Sequence, residues 1–140
     1  MAPFRFSTTL RVRFSETDAQ GIANNAVYLN WFEVARVDYL ARFPGGYRGL
    51  IEQGTEATTI ETYVRYRSPC RFDDALRIHA RVSELRGARF RFDYLAERTS
   101  DPRGTVADGF SSHACVDART LRPTRMPAWL VRAIEEAEAS

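Results

Sequence analysis

The sequence predicts an α+β protein in which a curled antiparallel sheet of five strands surrounds one long central helix, with a further helix at the C-terminal end. Five segments alternate between apolar and polar residues, and four of them follow one another through tight turns. Between the first and second of these segments lies a single long stretch with apolar residues at helical spacing. Hairpins that follow one central helix are typical of the α+β class. Because 140 residues suffice for one ordinary core, we expect a single domain over residues 1–140.

The first strand is predicted over residues 4–14, where Phe6, Leu10 and Val12 alternate with polar side chains. The central helix is predicted over residues 25–43 and carries apolar residues on several faces, so we expect it to be enclosed. The run Phe43-Pro44-Gly45-Gly46 ends it, since Gly suits a helix C-terminus and Pro disfavours helix before it. Its bulky apolar positions at helical spacing include Tyr28, Trp31, Phe32, Ala35 and Tyr39.

The remaining elements follow in order. Arg86 and Gly87 open a tight hairpin between the third and fourth strands. His79 and His113 fall in predicted strands, on faces opposite the apolar stripes, and neither has a partner at a catalytic spacing, so both are interpreted as structural. The later strands are predicted over residues 58–67, 76–82, 90–96 and 105–116, and the C-terminal helix over residues 128–139.

Composition excludes several classes of function. Hydrophobic content of 44% and charged content of 27% are those of a soluble globular protein, and a net charge of +2 without a basic block argues against nucleic-acid binding. No segment has the apolar length of a signal peptide or a membrane span, so we expect a cytoplasmic protein. Cys70 and Cys115 form neither a metal spacing nor a disulfide framework. We expect no metal and no organic cofactor.

The residues best suited to chemistry lie just before the central helix. Asp18 can act as a base or a nucleophile, and Gly21 lets the backbone turn sharply and approach a ligand. The helix start at Asn25 offers unpaired backbone N–H groups and the positive end of the helix dipole to a developing oxyanion. Spacing alone also allows Asp18 to be a turn residue and an asparagine to be a simple cap. Glu16 is interpreted as a solvent or turn residue.

Three motifs in this region carry a resemblance to a known family: Asp18-x-x-Gly21, Asn25-x-x-Tyr28-Leu29 and Trp31-Phe32-Glu33-x-Ala35-Arg36. With the strand pattern that follows, they resemble the hotdog-fold acyl-CoA thioesterases of the 4-hydroxybenzoyl-CoA thioesterase type. The resemblance implies that Asp18 is the catalytic carboxylate and that the Asn25 N–H polarises the thioester carbonyl. Many relatives carry His shortly after the Gly, but Ile22 and Ala23 follow it here, so Asp18 is expected to act without one.

The resemblance also implies where an acyl-CoA substrate would bind. Tyr28 and Trp31 are within reach of an acyl pocket beside the helix. Crowding by these rings is expected to favour short or aromatic acyl groups. Arg86 and Arg89 are the candidates for contacts with the coenzyme A phosphates, and Arg71 and Arg103, in neighbouring turns, are weaker ones. Relatives of this fold join sheet edges, so we expect a homodimer or homotetramer with the site at a subunit boundary.

Three alternatives remain open at this point. One is a thioesterase that acts on acyl carrier protein, and another is a hotdog dehydratase or hydratase, which would want a catalytic His beside its Asp. The third belongs to a different class, a non-catalytic module that binds acyl-CoA. The first is separated by testing which carrier is hydrolysed, and the absence of His between Asp18 and Tyr28 counts against the second. Hydrolysis of an acyl-CoA panel, with an Asp18→Asn control, is the most informative single experiment.

Overall fold

The order of elements along the chain is the one that the sequence predicts, with one short helix added. The structure is a computed structural model that describes residues 3–139, without the side chains of residues 102 and 103. A 3₁₀ turn over Phe14–Glu16 follows the first strand. The elements are β1 (Phe6–Arg11), α1 (Val27–Ala41), α2 (Gly46–Glu52), β2 (Thr55–Tyr66), β3 (Ala75–Arg86), β4 (Arg89–Arg98), β5 (Asp101–Asp117) and α3 (Ala128–Ala139).

The strands form one antiparallel sheet in the order β1-β3-β4-β5-β2. Strands β3 and β4 are joined by the two residues Gly87 and Ala88, and Gly87 has φ 61°, a conformation that glycine adopts without strain. Strands β1 and β2 are the two edges. The predicted α+β class with a five-stranded antiparallel sheet is therefore confirmed.

Helix α1 packs on one face of this sheet through a row of rings. Phe32 stacks on Tyr94 of β4 with ring centroids 4.5 Å apart, and Tyr39 meets Phe92 edge to face at 5.1 Å. Each such ring contributes roughly 1.5–3 kcal/mol through burial. Gly109 of β5 permits this approach, because a Cβ there would lie 3.2 Å from Phe32 and only 2.0 Å from the carbonyl of Tyr63.

Element ends differ from the sequence-based prediction where a turn takes over. Helix α1 begins at Val27 rather than at residue 25, because Asn24 and Asn25 belong to the preceding turn. Strand β1 ends at Arg11 because the 3₁₀ turn begins at Phe14, whose side chain is 74% exposed.

Strand β2 also departs from the predicted alternation. Its pairing with β5 shifts between Thr59 and Glu61, which places an extra residue in β2. The expected apolar stripe is therefore interrupted, and Ile60 is 47% exposed. With Tyr63 at 48% and Tyr66 at 47%, β2 is a long edge strand with exposed apolar side chains.

A chain of polar side chains crosses the core beneath α1. Arg36 donates to the Tyr94 hydroxyl at 3.1 Å, Tyr94 and Ser111 hydroxyls are 2.6 Å apart, and Ser111 Oγ lies 2.6 Å from His113 Nε2. His113 Nδ1 meets Thr59 Oγ1 of the edge strand at 3.3 Å. Burial, together with the nearby Arg36 charge, lowers the pKa of His113 to about 4, so the ring is neutral at pH 7.

The prediction that His113 lies opposite the apolar face is wrong, because the side chain is only 1% exposed and stacks on Phe90. Strand β5 carries few large apolar residues, so its buried face cannot be recognised from alternation alone. The prediction for His79 fits the structure: it lies on the other face and pairs with Glu97 at 2.8 Å. Within residues 3–139, no helix combines the length and apolar character that a membrane span requires.

Candidate active site

The Asp18 segment forms a short hairpin that leads directly into α1. Thr17 and Ala23 are bridged across it, Asp18 N–H donates to the Ile22 carbonyl at 2.9 Å, and Gly21 N–H donates to the Asp18 carbonyl at 2.9 Å. Gly21 has φ 79°, and a Cβ at this position would lie 3.7 Å from a guanidinium nitrogen of Arg71. The turn therefore requires glycine for its backbone conformation, and it places a cation next to the Asp18 loop.

The Asp18 side chain is exposed and held in one orientation. Its Oδ1 accepts the N–H of Gln20 at 2.8 Å, the bond that shapes an Asx turn. Within the described residues no group donates to Oδ2. The carboxylate is thus fixed by one oxygen and has a second oxygen available to a water molecule or a substrate.

At the start of α1, the main-chain N–H of Asn25 is left unused. Asn24 acts as the cap, because its Oδ1 accepts from Ala26 N–H at 2.9 Å and its carbonyl accepts from Val27 N–H at 3.1 Å. In the part of the chain that the structure describes, nothing accepts a bond from Asn25 N–H. The Asn25 carbonyl accepts from the Tyr66 hydroxyl of β2 at 2.8 Å, which ties the edge strand to the helix start.

Below the turn lies a compact set of buried side chains. Trp31 donates its indole N–H to Glu16 Oε2 at 3.1 Å, and the Tyr28 hydroxyl lies 3.5 Å from Cys70 Sγ. Tyr28 and Trp31 are each 3% exposed, so one chain alone presents almost no surface of either ring to a ligand. Their contact with substrate stays a prediction. Of the two interpretations of Glu16, a turn residue fits its place at the end of the 3₁₀ turn, but a solvent residue is wrong, because Glu16 is only 6% exposed.

The two leading candidates for phosphate contacts, Arg86 and Arg89, lie elsewhere in the same chain. Tyr66, which touches the helix start, is opposite Ala107, and Ala107 is opposite Ala96 of β4. Arg89 is at the other end of β4, seven residues away, or about 23 Å at the rise of a strand. The structure therefore brings Asp18, Gly21 and Asn25 together but leaves Arg86 and Arg89 at the opposite end of the sheet.

At that opposite end, the hairpin has basic neighbours that sequence reasoning missed. Arg125 and Arg132 line a cavity of about 330 Å³ together with Gly87. They come there because the segment after β5 folds back, so that Met126 N–H reaches the Gly87 carbonyl at 3.5 Å. They lie more than 35 residues beyond the hairpin in sequence, and no local pattern links them to it.

Metal and thiol chemistry have no geometric basis among the described residues. In that part of the chain, no three His, Cys, Asp or Glu side chains are grouped as metal ligands would be. Cys70 and Cys115 are buried free thiols, and burial raises the pKa of Cys115 to about 11. An exposed carboxylate and an unpaired main-chain donor on the same stretch of chain are therefore the reactive groups that the described residues of this region offer.

The comparison with known protein families agrees with this geometry. Residues 12–134 match the family model described as the thioesterase-like superfamily. The chain belongs to the thioesterase-like superfamily. Its expected enzyme class, a thioester hydrolase, is thereby confirmed.

Individual similar proteins match nearly the whole chain. The acyl-CoA thioesterase YbgC of Haemophilus influenzae is 31% identical over 123 residues, which are 87% of this chain and 88% of that protein. The hypothetical protein TT1821 from Thermus thermophilus has a similar structure, with a TM-score of 0.85, 30% identity, and 94% and 98% of the two chains covered.

A more distant thioesterase supports the fold alone. Slr0204, a 1,4-dihydroxy-2-naphthoyl-CoA thioesterase from Synechocystis, has a TM-score of 0.86 at 17% identity, over 94% of this chain and 96% of that one. The expected hotdog fold is confirmed.

Proposed function

We propose that this thioesterase-like protein hydrolyses acyl-CoA to a carboxylic acid and free coenzyme A, with Asp18 as the general base or nucleophile. The proposal is carried by a carboxylate on the hairpin and a main-chain N–H in the turn that leads from it into α1. Among the described residues, no group donates to the second oxygen of Asp18, and nothing accepts a bond from Asn25 N–H. Thioester hydrolysis needs these two groups.

The chemistry then divides between the two groups. The thioester carbonyl oxygen accepts a hydrogen bond from the Asn25 N–H. The start of α1 stabilises the negative charge that develops on this oxygen. As a general base, Asp18 takes a proton from water while the water oxygen attacks the carbonyl carbon. The C–S bond then breaks, and the thiolate leaves with the proton. As a nucleophile, Asp18 attacks the carbon itself, the C–S bond breaks and the thiolate leaves, which yields an acyl anhydride on Asp18. Water then hydrolyses this anhydride to the carboxylic acid and the free Asp18 carboxylate, and a proton from the water passes to the thiolate.

The coenzyme A phosphates are proposed to meet the hairpin of a second copy of the chain. In one chain, Arg86 and Arg89 lie at the opposite end of the sheet from the helix start. An antiparallel pairing of two β2 edges about a two-fold axis places the far end of one chain beside the near end of the other. The partner's hairpin, with its neighbouring basic side chains, then faces this chain's helix start.

The edge strand itself supports such a pairing. Strand β2 spans 12 residues, and one side of its backbone is unpaired within the described chain. Ile60, Tyr63 and Tyr66 are each nearly half exposed on it. Long edges with apolar side chains favour pairing with another strand. We therefore propose a homodimer or a dimer of dimers.

The first experiment tests the reaction and the catalytic carboxylate. Purified protein is assayed against acetyl-, benzoyl- and palmitoyl-CoA and the same acyl groups on acyl carrier protein, with folding checked by circular dichroism. We expect hydrolysis of coenzyme A thioesters and a loss of at least about a hundredfold in kcat for Asp18→Asn. Near-wild-type turnover by a folded Asp18→Ala protein would contradict the assignment. Hydrolysis of the carrier-protein substrates alone would favour the alternative carrier, and binding without turnover would favour a non-catalytic module.

A second experiment tests whether the site is shared between chains. Two proteins are first assayed separately at low acyl-CoA: the Asp18→Asn variant and the Arg86→Ala/Arg89→Ala double variant. We expect each to be weakly active. They are then mixed under conditions that exchange subunits. If base and phosphate contacts come from different chains, mixed dimers contain one intact site, and activity rises to about a quarter of wild type. If both come from one chain, mixing restores nothing.

A further inference from the structure

Glu16 is a buried carboxylate two residues before Asp18, and the reaction scheme above does not use it. Its side chain is 6% exposed. Oε1 accepts the main-chain N–H of Arg13 at 2.8 Å, and Oε2 accepts the Trp31 indole N–H at 3.1 Å. The Arg13 guanidinium lies 3.4 Å from Oε2 and is largely exposed.

The main chain of the same residue holds the other side of the site. Glu16 carbonyl accepts the Asn24 N–H at 2.8 Å, directly below the hairpin that carries Asp18. Asn24 in turn caps α1 and precedes the unused N–H of Asn25. Glu16 thus contacts the hairpin base through its backbone and the second turn of α1 through its carboxylate.

The environment keeps this carboxylate ionised. Burial raises its pKa, but hydrogen bonds from the Arg13 main chain, the Trp31 indole and the Arg13 side chain outweigh burial and bring the pKa below the usual 4.5. A charged acceptor makes a stronger and more directional bond to an indole N–H than a neutral one. Burying a charge is a poor way to gain stability, because its desolvation offsets much of the gain. A role in fixing geometry explains the arrangement better.

We propose that Glu16 is a positioning residue that sets the start of α1, and with it the Asn25 N–H, relative to the Asp18 carboxylate. It touches neither substrate nor the reacting atoms and acts through Trp31 and Asn24. The inference rests on the proposed function, because its kinetic test takes the Asp18 carboxylate and the Asn25 N–H to be the reacting groups whose spacing Glu16 sets.

The test compares four variants under saturating and subsaturating acyl-CoA. Glu16→Gln keeps the size of the side chain and removes the charge, Trp31→Phe keeps a ring and removes the N–H, and the double variant removes both. Glu33→Gln is the matched control, because Glu33 is a largely exposed carboxylate on α1, the helix that carries Trp31. Folding is monitored by urea unfolding, so that kcat is expressed per folded molecule.

We expect Glu16→Gln to lower kcat between about tenfold and a hundredfold with little change in KM, since small displacements of reacting groups have effects of this size. Trp31→Phe should act in the same direction. The double variant should be no less active than the less active of the two single variants, because both substitutions act on the same Glu16–Trp31 hydrogen bond. Glu33→Gln should retain wild-type kcat. A merely structural role would lower stability and leave kcat per folded molecule unchanged.

A spectroscopic measurement supplies a readout that does not depend on activity. In a ¹⁵N-labelled protein, the indole N–H signal of Trp31 should shift in Glu16→Gln, while that of Trp129 serves as the internal reference. An unchanged Trp31 signal would overturn the proposed contact.

The outcomes separate this inference from the proposed function. Wild-type kcat in folded Glu16→Gln, with Asp18→Asn inactive, would overturn the positioning role and leave the thioesterase assignment intact. If Glu16→Gln does not fold, wild-type kcat in Trp31→Phe overturns the role equally. Wild-type turnover by folded Asp18→Ala would contradict the catalytic assignment instead, and the Trp31 signal would still test the contact.

Discussion

At the scale of single residues, the site depends on which of two adjacent asparagines caps the helix. Asn24 gives both its side-chain oxygen and its carbonyl to the first turn, whereas Asn25 gives only a carbonyl to Tyr66. Capping and the supply of a free main-chain donor are therefore separate tasks of neighbouring residues. A helix that began with a side-chain cap bonded to Asn25 N–H would have lost that donor.

This division predicts different outcomes for two alanine substitutions. Asn25→Ala keeps the main-chain N–H, so we expect kcat within a few-fold of wild type. Asn24→Ala removes the cap and should lower the free energy of unfolding by about 1 kcal/mol. Steady-state kinetics and urea unfolding on both variants check this. An Asn25→Ala protein as inactive as Asp18→Ala would mean that the Asn25 side chain takes part in the chemistry.

At the scale of elements, helix α1 has one face of buried aromatic side chains and another face that is exposed. We expect Trp31→Ala to lower the free energy of unfolding by about 3–5 kcal/mol, because it empties a buried site. Val34→Ala, at a position 45% exposed on the same helix, should change it by less than about 1 kcal/mol. Urea unfolding provides both numbers. A stable Trp31→Ala protein with preference shifted to long acyl chains would instead identify Trp31 as a pocket wall.

Strand β5 makes stability depend on pH through His113. The unfolded side chain titrates near pH 6.5 and the folded one near pH 4, so between these values the unfolded state binds more protons. The free energy of unfolding should therefore fall as pH drops from about 6.5 to about 4, by about 3 kcal/mol in total.

Urea titrations at pH 7.5, 5.5 and 4.5 measure this effect. His113→Gln should flatten the curve in that range, and His79→Gln, which changes a less buried histidine, should leave most of it in place. A wild-type protein whose stability is constant between pH 7.5 and 4.5 would contradict the assignment to His113.

The elements also show what the sequence can and cannot predict. Helix α3 is found over the predicted residues 128–139, and β3 and β4 follow their alternation, because each buries one regular face. The Asp18 hairpin was recognised because its motif is local. Glu16 was misjudged because its partner Trp31 is 15 residues away, and Arg125 was missed because it reaches the β3–β4 hairpin only through the fold.

At the scale of the whole molecule, the proposed dimer makes activity depend on the β2 edge. We expect the wild-type protein to sediment as a dimer or tetramer at micromolar concentration. Ile60→Lys puts a charge on the exposed edge and should give a folded monomer with weakened acyl-CoA hydrolysis. Val37→Lys, at a similarly exposed position on α1, should leave the protein at least dimeric and active. A monodisperse wild-type monomer would contradict the proposal.

The two edges of the sheet are unequal, and this bears on aggregation. Strand β1 has six residues against the 12 of β2, and Ser, Thr and Arg make up four of those six. A short polar edge is a poor template for adding further strands. Once two β2 edges have met, the combined sheet ends in a β1 strand on each side, so growth stops there. In the proposed dimer, the sheet therefore closes as a pair and has little tendency to extend into a fibre.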